Sequence, residues 1–293
     1  MDSNILDKYL LAGKIAYDAK QTGKELIKER HSLYEVAEKI EQFIVEKGGN
    51  LAFPVNLSIN NEAAHYTPSF KDTSVFNRGD IVKLDLGVHI DGYIADTALT
   101  IEVSTYLHEP LIKASREALI TALGTIKENA LISDVGSAVE RVMNKWNVKP
   151  VSNLTGHMVD RYLLHGKKSV WNIRNSETTR FEKNEAYAIE PFASTGTGFV
   201  ENSKNGNIYR FIKNVSKSKK DIYMIYEKYS SLPFAMRWIQ RDFPEISPMK
   251  LNQYIQPYPV LIDRKGSLIS QAEETIIVQD NGIIVTTNKD IAL

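Results

Sequence analysis

The sequence contains no cysteine. This absence excludes disulfide bonds and thiolate metal sites, and it is compatible with a reducing compartment. The chain also has no apolar run that approaches the roughly 20 residues of a membrane span. Its first residues, MDSNILDKYLLAGK, lack the apolar core of a signal peptide. Together these absences predict a soluble cytoplasmic protein that does not enter a membrane.

Net charge is absent as well, because Lys+Arg and Asp+Glu each total 36. A balanced charge excludes a global attraction to nucleic acid or to anionic membranes, and it favours a small or peptidic partner. The chain has 293 residues, of which 43% are hydrophobic. That is enough to bury the core of one large domain or of two modest ones.

Two helical patterns open the chain. Apolar and charged residues alternate at helical spacing over 4–29. Ser32 and Glu35 then form a capping box, which predicts the start of a second helix. Gly48-Gly49 is typical of the end of such a helix.

Later segments alternate further helices with hairpins. Pro110 lies where the first turn of a third helix is expected, and Ser133 is a candidate cap for a fourth. The segment EAYAIEPF (185–192) is typical of a strand, and TIIVQDNGIIVTT (275–287) is typical of a hairpin with an Asn-Gly turn. Helices segregated from antiparallel hairpins predict an α+β fold.

The stretch 199–256 differs in character from the rest. Its first part is rich in lysine, at Lys213, Lys217, Lys219 and Lys220. Helical patterns follow in DIYMIYEKYSSL and PFAMRWIQRDF, with recurring Tyr, Trp, Met and Phe, so we expect a helical insertion and not a linker. The lysines are typical of a solvated loop or helix face, and a contact with nucleic acid is the alternative.

Two aspartates lie on the strands of the hairpin KLDLGVHIDGYIADTALT (83–100), where carboxylates are uncommon. Asp91-Gly92 suits a type I′ turn, which would pair residue 90 with 93, 87 with 96 and 85 with 98. Asp85 and Asp96 are then diagonal neighbours on one face, about 7–8 Å apart at the backbone. Converging carboxylates in apolar surroundings take up a proton or bind a cation. An exposed face, on which both are merely solvated, stays open as an alternative.

Other candidate ligands are spread along the chain. His157 and His165 lie in TGHMVDRYLLHG, Glu190 ends the apolar segment AYAIE, and Glu273-Glu274 precede TIIV. Each of these residues alone is more often a surface charge or a core histidine than a ligand. As a set, with the two aspartates, they supply the oxygen-rich ligands that divalent ions prefer.

Five ordered segments resemble the methionine aminopeptidases of type II: FPVNLSIN…AAHYTP, KLDLGVHIDGYIADTA, NLTGHMVDRYLLHG, AIEPFASTGTG and AEETIIV. The resemblance extends over nearly the whole chain, and the short N-terminus and LPFAMRWIQ are similar to the compact archaeal form. It implies the pita-bread fold, in which helices flank antiparallel sheets. The catalytic domain would comprise 1–198 and 257–293, and 199–256 would be a helical insertion subdomain.

The resemblance also implies two divalent metal ions per chain. Asp85 and His157 would each bind one ion, Asp96 and Glu273 would bridge the pair, and Glu190 would bind the ion opposite Asp85 and shuttle the proton. Cobalt, manganese, iron and zinc all suit these ligands, so the sequence leaves the metal open.

Four residues would contact the substrate by the same resemblance. His165 would stabilise the tetrahedral oxyanion, His65 would contact the substrate near the scissile amide, and Phe53 and Tyr258 would line a methionine pocket. The implied enzyme removes the initiator methionine from nascent polypeptides, with a preference for a small second residue. We expect it to be a cytoplasmic monomer. Its lysine-rich stretch is typical of a solvated face, and contact with the ribosome is the alternative.

One position departs from the family pattern. The family usually has Glu-His where this chain has Glu273-Glu274, and neighbouring strand residues point to opposite faces. Glu273 is therefore the expected ligand, and Glu274 takes the place of the histidine, which puts the hydrogen bonding behind the ligands in doubt. His31, His89 and His108 match no catalytic role, and we expect them to be structural or surface residues.

Two other functions stay open. Prolidases and aminopeptidase P share the five ligands, but they carry a further N-terminal domain, whereas only 84 residues precede Asp85 here. A non-catalytic relative that binds ribosomes, nucleic acid or partner proteins is the second alternative, and the lysine-rich stretch would support it. Such relatives lose metal ligands, whereas this sequence retains all five candidates.

Overall fold

The predicted α+β architecture is present in a computed structural model, which describes residues 1–289, with 204 and 205 described by their backbone alone. The helices of this part are α1 (Ser3–Leu26), α2 (Leu33–Glu46), α3 (Glu109–Leu123), α4 (Ile132–Lys145), α5 (Lys220–Tyr229) and α6 (Met236–Asp242), with a 3-10 turn at Pro248–Lys250. Its strands are β1 (Asn50–Ile59), β2 (Glu62–Ala64), β3 (Ile81–Ile90), β4 (Tyr93–Glu102), β5 (Lys149–Pro150), β6 (Thr155–Val159), β7 (Ser169–Trp171), β8 (Ala186–Ile189), β9 (Phe192–Ser194), β10 (Glu201–Phe211), β11 (Phe234–Ala235), β12 (Ile255–Ile262), β13 (Ile269–Gln271), β14 (Glu274–Gln279) and β15 (Gly282–Val285).

These strands form four sheets in which every described pairing of named strands is antiparallel. The orders are β1-β3-β4, β11-β10-β12-β2, β13-β9-β5 and β15-β14-β8-β6-β7. One buried apolar cluster packs α1 and α2 against β1, β3 and β4, and another packs α3 and α4 against β8 and β14. Two of the four sheets are therefore each covered by a pair of helices.

Helix boundaries follow the local signals in α2 but not in α4. Ser32 caps α2 as predicted, since its hydroxyl accepts a hydrogen bond from the Glu35 amide, and the chain leaves the helix through Gly48 at φ +83°. The predicted cap at Ser133 is wrong. Helix α4 begins at Ile132 with Leu131 in the cap position, two residues earlier than predicted, because the Ile132 amide donates to the Thr179 carbonyl at 2.9 Å and needs no side-chain cap.

The register of the β3–β4 hairpin is the one predicted. Residue 90 pairs with 93, 87 with 96 and 85 with 98. Asp91 and Gly92 both have positive φ, +50° and +89°, as a type I′ turn requires. The Gly92 amide also donates to Nδ1 of His89, so one of the three unassigned histidines stabilises the turn.

Within 199–256 the helical patterns are confirmed as α5 and α6, whereas 201–211 forms the strand β10. That strand pairs with both β11 and β12, so the stretch joins the sheet of the main body. The helices also have an apolar cluster of their own, which includes Ile225, Phe234, Trp238 and Ile239. The boundaries of the insertion subdomain stay a prediction.

No helix in the part of the chain that the structure describes is long and apolar enough to span a membrane.

Candidate metal centre and substrate cavity

A buried cavity opens where the β3–β4 hairpin faces β6, β8 and β14. Acidic residues and histidines line one part of it, and apolar and aromatic side chains line the rest. The lining residues are Phe53, Asn56, Ala64, His65, Asp85, Asp96, His157, Leu164, His165, Glu190, Ile208, Pro233, Tyr258 and Glu273. The cavity thus contains all nine residues that the sequence singled out for the site.

Strand pairing brings the acidic ligands together. The hairpin carries Asp85 and Asp96, whereas His157 lies on β6. Strand β8 pairs with β6 through Ala188 and His157, and with β14 through Ile189 and Glu274. Glu190, directly after β8, and Glu273, directly before β14, therefore lie at adjacent strand ends. Three of the five side chains therefore project from strands and two from positions next to a strand end, which hold them more rigidly than long loops would.

The hairpin and β14 are fastened to each other by backbone and hydroxyl groups. Ala98 and Glu273 exchange two backbone hydrogen bonds, and the Thr97 hydroxyl donates to the Glu273 carbonyl at 2.8 Å. The Thr275 hydroxyl accepts from the Asp96 amide and donates to the Asp96 carbonyl. These bonds fix Asp96 and Glu273 relative to each other without using either carboxylate.

Ligand atoms of Asp96, His157 and Glu273 lie within 4.8 Å of one another. Nε2 of His157 is 3.6 Å from Oδ2 of Asp96 and 3.5 Å from Oε1 of Glu190, both too long for a good hydrogen bond. The arrangement leaves each carboxylate free to accept a further cationic partner.

Burial makes this group of acids electrostatically unfavourable on its own. Burial raises the pKa of Asp85 to about 7. Burial also raises the pKa of Asp96 well above its usual range, with repulsion from Asp85 as the second cause. The pKa values of Glu190 and Glu273 are also well above their usual range, first through burial and then through the neighbouring carboxylates. A cation among them would offset both effects.

The histidines of the cavity are neutral at pH 7. Burial lowers the pKa of His65 and of His157 to about 4, and that of His165 to about 3. A neutral imidazole is the form that binds a metal ion or donates a single N–H to a substrate. The histidines therefore suit both roles that were predicted for them.

The residues present fit a divalent metal centre. Oδ1 of Asp85 and Oδ1 of Asp96 are buried without a hydrogen-bond partner, which is rare for carboxylate oxygens in a protein interior. Four carboxylates and a neutral histidine are the oxygen and nitrogen donors that bind such ions. The structure thus contains the donors, the burial and the unpaired oxygens that a metal centre requires.

Glu274 points away from the cavity, as strand alternation predicts, and its carboxylate pairs with Lys20 of α1. Nζ of Lys20 donates to its two oxygens at 2.9 and 3.0 Å, and the two side chains are 3% and 5% exposed. The hydroxyl of Thr287 and the side-chain amide of Asn288 donate to the same carboxylate, and the Thr97 hydroxyl lies 3.1 Å from it. The departure from the family pattern is therefore a fully paired buried charge directly behind Glu273, the predicted ligand.

The predicted substrate residues line the same cavity. His65 follows β2 with φ +67°, and its ring meets the edge of Tyr258 at 5.3 Å between centroids. The ring of His165 lies 4.5 Å from that of His157. Phe53 packs against Gly87, where a Cβ would come within 2.3 Å of its ring. None of the remaining histidines, His31, His89 and His108, lines the cavity.

Several residues of the site escaped the sequence analysis. Asn56 pairs with Asp85 across β1 and β3, and Nε2 of Gln271 lies 3.4 Å from Oε2 of Glu190 and 3.3 Å from Oε2 of Glu273. A polar residue in the apolar strand FPVNLSI and the two-residue spacing of Gln271 from Glu273 are signals that could have found them. Ile208 and Pro233 come from distant segments, and no local pattern marks them.

Comparison with known proteins identifies the family. The model of metallopeptidase family M24 matches residues 7–224. The chain is 40% identical to a methionine aminopeptidase of Methanocaldococcus jannaschii, over 96% of this chain and 98% of that protein. It is also 40% identical to one of Pyrococcus horikoshii, over 96% of this chain and 99% of that protein. The chain therefore belongs to metallopeptidase family M24. Within that family it is a member of the methionine aminopeptidases, similar to their archaeal form.

Solved structures support the predicted fold. A thermophilic Arx1 superimposes with a TM-score of 0.85 at 18% identity, covering 100% of this chain and 93% of that chain. The methionine aminopeptidase of Thermotoga maritima superimposes with a TM-score of 0.74 at 19% identity, covering 99% and 98%. The predictions of the pita-bread fold and of the family are confirmed.

Proposed function

We propose that this chain removes the N-terminal methionine from nascent polypeptides whose second residue is small. The observation that supports the proposal is the convergence of Asp85, Asp96, His157, Glu190 and Glu273 in one cavity that apolar and aromatic residues also line. An apolar, adaptable lining suits a flexible thioether side chain. Membership of the methionine aminopeptidases favours this activity over that of a prolidase.

The five acidic and histidine ligands would hold two divalent ions. When bound, such ions polarise a scissile carbonyl and lower the pKa of a water molecule. Asp85, Asp96, His157, Glu190 and Glu273 would hold these ions, as the family resemblance implies. The identity of the metal is part of the experiment below, because the donor set suits several first-row ions.

Side chains of the protein would then transfer the proton and orient the substrate. Oε1 of Glu190 would take a proton from the attacking water and return it to the leaving amine, since hydrolysis of an amide needs both transfers. His165 would donate an N–H to the carbonyl oxygen as it gains negative charge, and His65 would orient the scissile amide. Phe53 and Tyr258 would line the methionine side chain.

Hydrolysis of Met-Ala-Ser by metal-stripped protein refilled with cobalt, manganese, iron or zinc tests the proposal. We expect release of methionine with at least one of these metals and saturation at two ions per chain in a calorimetric titration. An X-Pro dipeptide is the control substrate. Hydrolysis of the X-Pro dipeptide alone would favour a prolidase, and failure to bind two ions would favour a non-catalytic binding protein.

We also propose that the enzyme is a cytoplasmic monomer that contacts the ribosome through Lys213, Lys217, Lys219 and Lys220. These four lysines are exposed, and Nζ of Lys213 lies 4.8 Å from the ring centroid of Tyr254, a mixture of charge and aromatic surface that suits RNA. Replacement of all four by serine is expected to reduce co-sedimentation with ribosomes at low salt. Hydrolysis of Met-Ala-Ser should be unaffected, and unchanged sedimentation would contradict the contact.

A further inference from the structure

The guanidinium of Arg237 on α6 is buried deep in the protein, outside the cavity lining. Its side chain is 0% exposed. Arginine is almost never fully buried unless its charge is paired and its donors are satisfied. The hydrogen-bond acceptors of Arg237 therefore identify the parts of the molecule that this side chain links.

Arg237 contacts two other elements. On α2, Nε donates to Oε1 of Glu38 at 3.0 Å and Nη2 donates to Oε1 of Glu41. On the segment after β2, Nη1 donates to Oγ1 of Thr67 at 2.5 Å and to the carbonyl of Pro68 at 3.3 Å. One charged group thus links the region of the predicted insertion, the second helix and the segment that follows His65.

The segment at 65–68 needs such a support. His65 has φ +67°, a left-handed conformation that is unfavourable for a residue with a side chain and persists only where the surroundings impose it. The Tyr66 carbonyl accepts from the Leu57 amide, and the Thr67 carbonyl accepts from Nδ2 of Asn207. The Thr67 hydroxyl, besides accepting from Arg237, donates to the Val55 carbonyl of β1 at 2.7 Å.

We propose that Arg237 is a positioning residue for His65. Arg237 does not contact His65 itself. It fixes Thr67, two residues after His65, and Pro68 against α2 and β1, so that the strained backbone at His65 keeps the imidazole ring in the cavity. The inference rests on the proposed function in one respect, the contact of His65 with the substrate. The geometry of the support itself is independent of that function.

The test uses a variant that does not leave a buried charge unpaired. Arg237→Met alone would leave the buried Glu41 carboxylate without its cation, so we combine it with Glu41→Gln. The glutamine side-chain oxygen can still accept a hydrogen bond from the Val55 amide. With Met-Ala-Ser as substrate we expect kcat to fall about 10–100-fold, as small misplacements of a positioned group do, and KM to change by less than about threefold. Metal affinity should stay within about twofold, because Arg237 touches no ligand.

Removal of the His65 ring distinguishes an effect of Arg237 on the position of His65 from a general effect on the structure. In a His65→Ala background the same double substitution is expected to lower kcat by less than about twofold further, because residues that act through one group are not additive. An equal loss in both backgrounds would overturn the inference. Thr67→Val, which keeps both charges and removes only the hydroxyl, should lower kcat in the same direction.

Arg241→Met is the matched control. Arg241 lies on the same helix and also binds Glu38, but its side chain is 45% exposed and has no described contact with Thr67 or Pro68. Its loss should change kcat by less than about twofold. A loss as large as that of the Arg237 variant would contradict a specific role.

Hydrogen exchange supplies a readout that does not depend on activity. The Arg237→Met, Glu41→Gln variant should exchange faster over 62–70 and at the wild-type rate over the 83–100 hairpin. Unchanged exchange over 62–70 would overturn the inference whatever the kinetics. Absence of Met-Ala-Ser hydrolysis by the wild-type protein would instead contradict the proposed function, so the two failures are distinguishable.

Discussion

Asparagine in place of Asp96 is expected to lower kcat for Met-Ala-Ser by more than about 10³-fold. This loss is at least as large as the one that follows removal of one hydrogen-bond donor from an oxyanion hole. Asp96 is 4% exposed and shares the cavity with three other acids, so it is central to the donor set. An amide has the same shape but one acceptor oxygen and no charge, and it cannot bridge two cations. Calorimetric titration should accordingly detect fewer than two ions per chain.

The same variant should stay folded. Thr275 holds the backbone amide and carbonyl of Asp96, and Oδ1 of the side chain has no hydrogen-bond partner, so the fold does not depend on this carboxylate. Without metal, the loss of one repelling charge should leave the urea midpoint equal to or above that of the wild type.

Asp91→Asn in the turn of the same hairpin is the control. Its side chain is 61% exposed and pairs with Lys8, so activity should change by less than about twofold. Retained hydrolysis and full metal binding by the Asp96→Asn variant would show that the ligand assignment is wrong.

Local features of the sequence predicted the parts of the site that lie close together along the chain. The Asp91-Gly92 turn fixes the register of the hairpin, because both positions require positive φ, and the register then places Asp85 and Asp96 on one face. The remaining predicted ligands lie on β6, directly after β8 and directly before β14. Only the ordered motifs of the family resemblance connected them with the hairpin, since no local pattern specifies how separate sheets meet.

Pairings between distant segments could not be predicted. Lys20 stands on the apolar face of α1 among Ala16, Ala19 and Gly23, which is a signal of unusual burial, but its partner lies 254 residues further on. Arg237 likewise belongs to a helix whose pattern was recognised, whereas its acceptors on α2 were not. The start of α4 was missed for the same reason, because a hydrogen bond to Thr179 replaces the expected cap.

Replacement of Lys20 by methionine is expected to lower the free energy of unfolding by about 3–5 kcal/mol, the usual result of removing one partner of a buried ion pair. The methionine fills the space of the lysine stem, but the Glu274 carboxylate would lose its only described cation while it stays 5% exposed. Urea unfolding of the metal-free protein measures the loss. Because the Thr97 hydroxyl lies within hydrogen-bond distance of both the Glu274 carboxylate, at 3.1 Å, and the Glu273 carbonyl, at 2.8 Å, a lower metal affinity should accompany the loss of stability.

Two controls separate the buried charge from loss of the side chain. Lys113→Met breaks the pair with Glu109 on α3, in which both side chains are 56% exposed, and should cost less than about 0.5 kcal/mol. Lys20→Met combined with Glu274→Gln removes both buried charges and should recover most of the stability, because a neutral amide can still accept from Thr97 and Thr287. If the double variant were as unstable as Lys20→Met alone, the loss would come from packing of the lysine stem against β4, and Glu274 would not need a cation behind the metal centre.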